Sequence, residues 1–183
     1  MLLVNPILAP DVILEPTDIS AAKEVFDLIN KNRIHLQPWF PWVKYTQEVM
    51  DSIVFLQNCR QRAEKGDVLT FFIKVKDKII GLIDIHKLQV EDEIPQIGYW
   101  VDADYEGKGY VSQAMQLLLD FYFKTYIDKA IIAIHCAVEN LRSKQVAIRA
   151  GFAYERMTTT VIDGSLEKID VYVLPFKNYQ RVL

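Results

Sequence analysis

The sequence has few of the residues that build metal sites and disulfide scaffolds. It contains two cysteines, Cys59 and Cys136, and three histidines, His35, His86 and His135. The spacing of the cysteines fits neither a disulfide framework nor a zinc motif. The histidines have no metal-ligand spacing and are interpreted as structural. We therefore expect a protein of a reducing compartment that binds no metal.

Basic excess and long apolar runs are also missing. Lys and Arg number 21 against 24 for Asp and Glu, so the formal net charge is -3. This balance leaves no excess of positive charge to neutralise the phosphates of a nucleic acid, and it argues against a nucleic-acid partner. No uninterrupted apolar run approaches the ~20 residues of a membrane helix, and polar residues and prolines interrupt the N-terminus. We expect a single domain over residues 1–183 that is cytoplasmic and has no membrane partner.

Glycine is scarce, with seven in the chain, yet two of them fall within Glu106-Gly107-Lys108-Gly109. A buried strand is predicted before this turn, at 97–101, and an amphipathic helix after it, at 110–124. A strand, a Gly-x-Gly turn and a helix N-terminus can together bind an anion such as phosphate. The turn lacks the Gly-Lys-Ser/Thr ending of a Walker loop and the third glycine of the dinucleotide motif. On these residues alone a simple helix cap or tight turn is a slightly better interpretation.

Hydrophobic periodicity predicts an α/β architecture for the remaining chain. Strands are predicted at 12–14 and 130–138 and helices at 17–30, 46–66 and 140–150, with Thr46 as the cap of the second helix. Hairpins are predicted for 68–75 with 79–90 and for 152–162 with 166–174. Residues 32–42, which contain two prolines and three aromatic residues, are interpreted as irregular.

This order of elements, with Gly107-x-Gly109 after the fourth strand and Asn140 after the fifth, resembles the GNAT acetyltransferase superfamily from about residue 12 to residue 174. Segment 32–42 and segment 138–155, which holds Asn140-x-x-Ser143, resemble the Rim-type subgroup. Known members of that subgroup acetylate the N-terminal amine of ribosomal proteins. The resemblance implies an α/β (α+β) fold with a mixed, mostly antiparallel seven-stranded sheet and about four helices. A V-shaped splay is expected between the fourth and fifth strands.

The resemblance also implies acetyl-CoA as co-substrate and no metal. Backbone amides of the glycine turn would bind the pyrophosphate, and the strand before it would pair with the pantetheine arm. Asn140 would bind an amide of that arm, cap its helix, or do both. The cofactor-binding candidates are Tyr99, Trp100, Val101, Gly107, Lys108, Gly109, Tyr110, Val111, Ser112 and Asn140.

The catalytic candidate is Ser143, which would assist departure of the thiolate. Many superfamily members carry a tyrosine for this role where the chain has Ala147, and Rim-type members use the serine. Gln96 stands where a carboxylate is often found, so the general base is unassigned. Glu106 replaces the usual first residue of the loop and is expected to point to solvent. The candidates for acceptor binding are His35, Trp39, Trp42 and Gln96.

The expected function is transfer of an acetyl group from acetyl-CoA to a primary amine, namely the N-terminal α-amine of a ribosomal-protein-like acceptor. An α-amine, with a pKa of roughly 7.7–8.0, needs less help from a base than a lysine near ~10.4. Two alternatives remain open. One is acetylation of a small amine such as a polyamine, amino acid or antibiotic; the other is a non-catalytic CoA-binding module. A homodimer, and whether Cys136 faces the thioester, are also left open.

Overall fold

The computed structural model describes residues 5–91, 93–126 and 131–179, which form one sheet with helices on both faces. The sheet has eight strands in the order β1-β2-β3-β4-β5-β6-β8-β7. The strands are β1 Ile7–Leu8, β2 Ile13–Pro16, β3 Leu69–Val75, β4 Lys78–His86, β5 Gln96–Val101, β6 Ile131–Ala137, β7 Ala153–Ile162 and β8 Ser165–Pro175. Neighbouring strands are antiparallel except β5 and β6, which are parallel.

Within the described ranges, five α-helices connect the strands. They are α1 Ala22–Lys31, α2 Arg33–Leu36, α3 Val49–Glu64, α4 Tyr110–Thr125 and α5 Leu141–Arg149. Short 3-10 helices lie at Ile19–Ala21, Pro41–Tyr45, Ala103–Tyr105 and Phe176–Asn178. None of the helices within the described ranges has both the length and the apolar composition needed to cross a membrane.

Two hydrophobic clusters cover the two faces of the sheet. One cluster joins α4 and α5 to strand residues such as Ile97 and Ile134. The other joins α1 and α3 to Leu82 and Trp100. Because successive side chains of a strand point to opposite faces, β5 presents Ile97 and Tyr99 to the first cluster and Trp100 to the second. We call these faces the α4/α5 face and the α1/α3 face.

The parallel junction between β5 and β6 is very short. The two strands share only the pairs Gln96–Ala133 and Ile97–Ile134, whereas β4 and β5 are paired over the six positions of β5, up to Gly81–Val101. Beyond Ile97 the edge of β5 that faces β6 therefore has no strand partner. The expected splay between these strands is confirmed, and it leaves unpaired backbone polar groups beside an opening.

The predicted fold class is confirmed, with differences in detail. The sheet gains an eighth strand because Ile7–Leu8 pairs with Leu14 and Ile13. Segment 32–42 is not wholly irregular: α2 forms there around the buried Leu36 and ends before Pro38, which has no backbone N–H to continue the helical hydrogen bonds. The next helix is capped by Glu48 rather than Thr46, because Glu48 and Asp51 form a reciprocal capping box. The predicted strand start at residue 130 lies outside the described residues.

Candidate active site

A cleft of about 990 Å³ opens where β5 and β6 diverge. The starts of α4 and α5 border it on one side, and α2 with the segment after it borders the other. Since the opening interrupts the sheet, side chains of both faces reach it. Tyr99 and Cys136 line it from the α4/α5 face, and Trp100 and His135 from the α1/α3 face.

The N-terminus of α4 forms one end of the cleft and has the properties of an anion site. Gly107 and Gly109 adopt φ values of +70° and +81°, which L side chains rarely take. A Cβ atom added at either position would meet no atom within 4 Å, so open space adjoins the turn. No side chain caps the helix at Gly109. The first N–H groups of this 16-residue helix therefore face the cleft without an intrahelical acceptor, which suits a pyrophosphate group.

The side chain of Lys108 does not point into this turn. Its Nζ donates a hydrogen bond to the carbonyl oxygen of Asp104 at 2.7 Å and lies 5.2 Å from the ring centre of Tyr105. The anion site is consequently built from backbone amides and the helix dipole.

Glu106 does not point to solvent, contrary to expectation. Its carboxylate lies 3.1 Å from His35 Nε2 and 2.9 Å from Arg142 Nη1, and the side chain is 26% exposed. His35 belongs to α2 and Arg142 to α5, so Glu106 connects the two rims of the cleft. The partners lie far along the chain, which is why sequence reasoning missed this bridge.

Asn140 occupies the N-cap of α5. Its side-chain oxygen accepts a hydrogen bond from the backbone N–H of Ser143 at 3.1 Å. The side-chain nitrogen has no protein partner within the described ranges, and Asn140 is one of the residues that line the cleft. The oxygen can thus cap the helix while the nitrogen remains available to donate to a ligand.

Ser143 forms a hydroxyl pair with Tyr99. The two side-chain oxygens are 2.9 Å apart, and burial raises the pKa of Tyr99 to about 12. The phenol is therefore protonated near neutral pH and can donate through Ser143. Sequence reasoning assigned Tyr99 only to the cofactor-binding strand, although strand alternation could have shown that its side chain shares a face with α5.

Cys136 lies beside this pair on the same face. It is buried and lines the cleft, and burial raises the pKa of its thiol to about 11. A thiol of this kind is protonated near neutral pH and is a weak nucleophile.

The four residues predicted for acceptor binding separate into two groups. His35 and Trp39 line the cleft. Trp42 instead lines a second cavity of about 470 Å³ beside α3, where its ring centre lies 6.3 Å from that of Trp100. Gln96 sits below the splay, where its side-chain oxygen lies 3.3 Å from His86 Nε2. Neither Trp42 nor Gln96 is among the residues that line the cleft.

His135 was interpreted as structural, but it is solvent-exposed on the cleft wall. The signal that could have located it is its position, one residue before a buried cysteine on a strand that borders the splay. Among the described residues no cluster of three or more histidine, cysteine or acidic side chains could hold a metal ion.

Comparisons with known proteins agree with this geometry. The family model described as "Acetyltransferase (GNAT) domain" matches residues 11–153. The ribosomal-protein-serine acetyltransferase of Escherichia coli (strain K12) is 32% identical over 133 residues, which are 73% of this chain and 74% of that protein. The putative ribosomal N-acetyltransferase YdaF of Bacillus subtilis (strain 168) is 27% identical over 145 residues, 78% of this chain and 76% of YdaF.

Solved structures share the fold over nearly the full length. The microcin C7 self-immunity acetyltransferase MccE, in complex with acetyl-CoA and AMP, superposes with a TM-score of 0.85 at 26% identity, covering 91% of this chain and 93% of MccE. RimL, a ribosomal L7/L12 alpha-N-protein acetyltransferase in complex with coenzyme A, gives a TM-score of 0.87 at 23% identity. The match covers 94% of this chain and 99% of RimL.

Proposed function

Since the chain belongs to the GNAT acetyltransferase domain family, and is thus an acetyl-CoA-dependent N-acetyltransferase, we propose that its acceptor is the N-terminal α-amine of a ribosomal protein. Acetyl-CoA supplies the thioester whose carbonyl carbon receives the amine. The residues present fit this co-substrate: the turn at Gly107 and Gly109 offers open backbone N–H groups, and the free edge of β5 offers an unpaired strand.

Each part of the cleft has a role in this reaction. The amides from Gly107 to Ser112 bind the pyrophosphate, and the free edge of Tyr99 to Val101 holds the pantetheine arm. The side-chain nitrogen of Asn140 donates to an amide of that arm. The Ser143 hydroxyl, backed by the protonated phenol of Tyr99, donates to the departing sulfur.

The observation that carries the choice of acceptor is the small number of carboxylates in the described part of the cleft. The two carboxylates on its lining are Glu106 and Glu139. Glu106 is already paired with His35 and Arg142, and Glu139 is exposed at the rim. A polyamine carries several positive charges and requires several unpaired carboxylates.

A polypeptide N-terminus has different requirements, which the cleft meets. It carries one amine, followed by a backbone and side chains that pack against apolar surface. Trp39, Phe40 and Trp100 provide an aromatic wall on the acceptor side. The relative from Escherichia coli, which is named for acting on a ribosomal-protein serine, supports the same class of acceptor.

We also propose that the protein is cytoplasmic and forms a homodimer. The edge strand β7 is exposed along most of its length, and Tyr154, Met157 and Val161 are more than half exposed. An exposed, partly apolar edge is a surface that a second copy can cover. Light scattering coupled to size-exclusion chromatography measures whether the mass in solution is that of two chains.

The experiment is an acceptor panel with the intact protein and saturating acetyl-CoA. The acceptors are a peptide with a free N-terminal serine, the same peptide blocked at its N-terminus but containing lysine, spermidine, and free amino acids. We expect the free peptide to exceed the others by about 100-fold in kcat/KM, with mass spectrometry placing the acetyl group on the α-amine. A preference for spermidine or for the lysine side chain would refute the proposal that the acceptor is an N-terminal α-amine. Binding of acetyl-CoA without any turnover would identify a non-catalytic module.

A further inference from the structure

We propose that His135 is the general base of the reaction and accepts the proton that the acceptor amine loses during attack. The inference rests on acetyl transfer as such and holds for any amine acceptor. Gln96 cannot serve as this base. Two nearby carboxylates are engaged, since Asp84 contacts His86 and Glu106 contacts His35 and Arg142, and the remaining cleft carboxylate, Glu139, is exposed at the rim.

The position of His135 suits this role. It follows Ile134, the last β6 residue that pairs with β5, and therefore stands where the two strands begin to diverge. The facing segment of β5 begins with Gly98, which has no side chain to fill the gap. His135 lines the cleft from the α1/α3 face, whereas the Ser143–Tyr99 pair lines it from the α4/α5 face.

This arrangement separates the two proton-transfer groups by the plane of the sheet. In acyl transfer, the attacking amine and the departing sulfur need different partners at the same carbonyl carbon. A hydroxyl donor on one face serves the sulfur. A proton acceptor on the other face, beside the aromatic acceptor wall, serves the amine.

His135 is also free to react. His35 contacts Glu106, and both ring nitrogens of His86 have partners, namely Asp84 and Gln96. The ring of His135 has no hydrogen-bond or ion-pair partner within 5–91, 93–126 and 131–179. An imidazole that is exposed on a cleft wall and unpaired can approach a substrate without breaking an existing contact.

The charges around His135 favour its neutral form. Partial desolvation in the cleft lowers its pKa below the usual 6.5, and nearby Lys87, Arg156 and His86 lower it further. Glu155 on β7 acts in the opposite direction but is the smallest of these influences. The neighbouring position on β8 is the apolar Val171, and Asp84 on β4 is bound to His86. A neutral imidazole at pH 7 is ready to accept a proton.

His135 and the Ser143–Tyr99 pair together account for the proton transfers of the reaction. The amine nitrogen forms a bond to the thioester carbonyl carbon, and the carbon–sulfur bond breaks. The proton lost by nitrogen goes to His135, while the Ser143–Tyr99 pair provides the proton that the thiolate takes up. His135 then returns its proton to solvent, and the Ser143–Tyr99 pair takes one up from solvent, which restores both groups for the next turnover. An α-ammonium with a pKa of roughly 7.7–8.0 matches such a base better than a lysine near ~10.4.

The first test is His135→Gln, assayed with a saturating peptide acceptor from pH 6 to pH 9. We expect kcat at pH 7 to fall about 10–100-fold with an unchanged KM for acetyl-CoA. With the series extended to pH 5, the wild-type kcat should fall on the acid side as His135 becomes protonated, and this acid limb should be absent from the variant, which has no imidazole to titrate. An unchanged kcat at pH 7, or a loss that is equal at every pH, would overturn the proposal.

The second test moves the pKa of His135 without touching it. Lys87→Met removes a positive charge that lowers the pKa of His135, so the acid limb of the kcat–pH profile should shift to higher pH. Lys76→Met is the matched control: both lysines occupy turns with positive φ, +48° and +63°, but Lys76 does not influence His135. The acid limb would belong to another group if Lys76→Met also shifted it, or if Lys87→Met still shifted it in the His135→Gln background.

Discussion

The two sides of the cleft are made of different parts of the chain. On the side of α4 and α5, the anion site consists of backbone N–H groups that two glycines leave accessible. On the side of α2, the acceptor wall consists of side chains from short helical turns, including His35, Trp39 and Phe40. A backbone site depends on conformation and tolerates many side chains, whereas a side-chain wall depends on each residue present.

The two sides should therefore vary in different ways between related enzymes. Substitutions on the cofactor side that alter the backbone conformation should change the affinity for acetyl-CoA, whichever acceptor is used. Substitutions on the acceptor side should change the choice of amine and leave acetyl-CoA binding intact. The two effects can be separated by measuring both Michaelis constants for the same variants.

The largest effect is expected for Gly109→Val. Its β-branched side chain would occupy the open space beside the turn, where the pyrophosphate binds, and would strain a backbone with φ of +81°. We expect the Kd for acetyl-CoA, measured by calorimetry, to rise about 100-fold, which corresponds to ~2.7 kcal/mol. The change should be the same for every acceptor.

Gly164→Val provides the control for backbone strain. Gly164 has φ of +80° and equally open surroundings, but it lies in the β7–β8 turn and does not line the cleft. Both variants should lose about 1–2 kcal/mol of the free energy of unfolding, and only Gly109→Val should lose acetyl-CoA affinity. Equal acetyl-CoA affinity in the two variants would show that the Gly107–Gly109 turn is only structural.

An intermediate effect is expected for Ser143, which lines the cleft from α5. Ser143→Ala should lower kcat by about 10–100-fold with little change in acetyl-CoA affinity, because the hydrogen bond to sulfur strengthens as the thiolate departs. Tyr99→Phe removes the hydroxyl whose oxygen lies 2.9 Å from Ser143 Oγ and should lower kcat less than Ser143→Ala. Steady-state kinetics on the single and double variants measure the coupling. A wild-type kcat for Ser143→Ala would remove the serine from the mechanism.

The smallest effect is expected on the acceptor side, for Trp39→Ala. Loss of this part of the aromatic wall should raise the KM of a peptide acceptor about 5–10-fold, or ~1–1.4 kcal/mol, and leave the KM of acetyl-CoA unchanged. Trp42→Ala is the matched variant, because Trp42 lines the second cavity and not the cleft. If Trp42→Ala raises the acceptor KM more than Trp39→Ala, the acceptor extends into the second cavity.

The sequence predicts the fold and the backbone half of the site well, for a physical reason. Strands, helices and the Gly107-x-Gly109 turn follow from local patterns of apolar residues and glycines. The spacing from Asn140 to Ser143 is one helical turn, so the cap and the serine must lie together at the start of α5.

The side-chain half depends on contacts between distant segments, which no local pattern encodes. Glu106 turns toward the cleft because His35 and Arg142 meet there from opposite rims. Trp42 leaves the cleft because the 3-10 turn that carries it packs beside α3 and Trp100. The exposure of His135 depends on where β5 stops pairing with β6.

The two-residue β5–β6 junction has a consequence for how the molecule holds together. It divides the hydrogen-bonded ladder into a block of five strands and a block of three, joined by the pairs at Gln96 and Ile97. Adjacent blocks with few shared backbone bonds can open separately, and amide hydrogen exchange detects such opening. A pantetheine arm bound along the free edge of β5 would act as the missing strand between them. The co-substrate would then be a structural element as well as an acetyl donor, joining the blocks into one cooperative unit in each turnover.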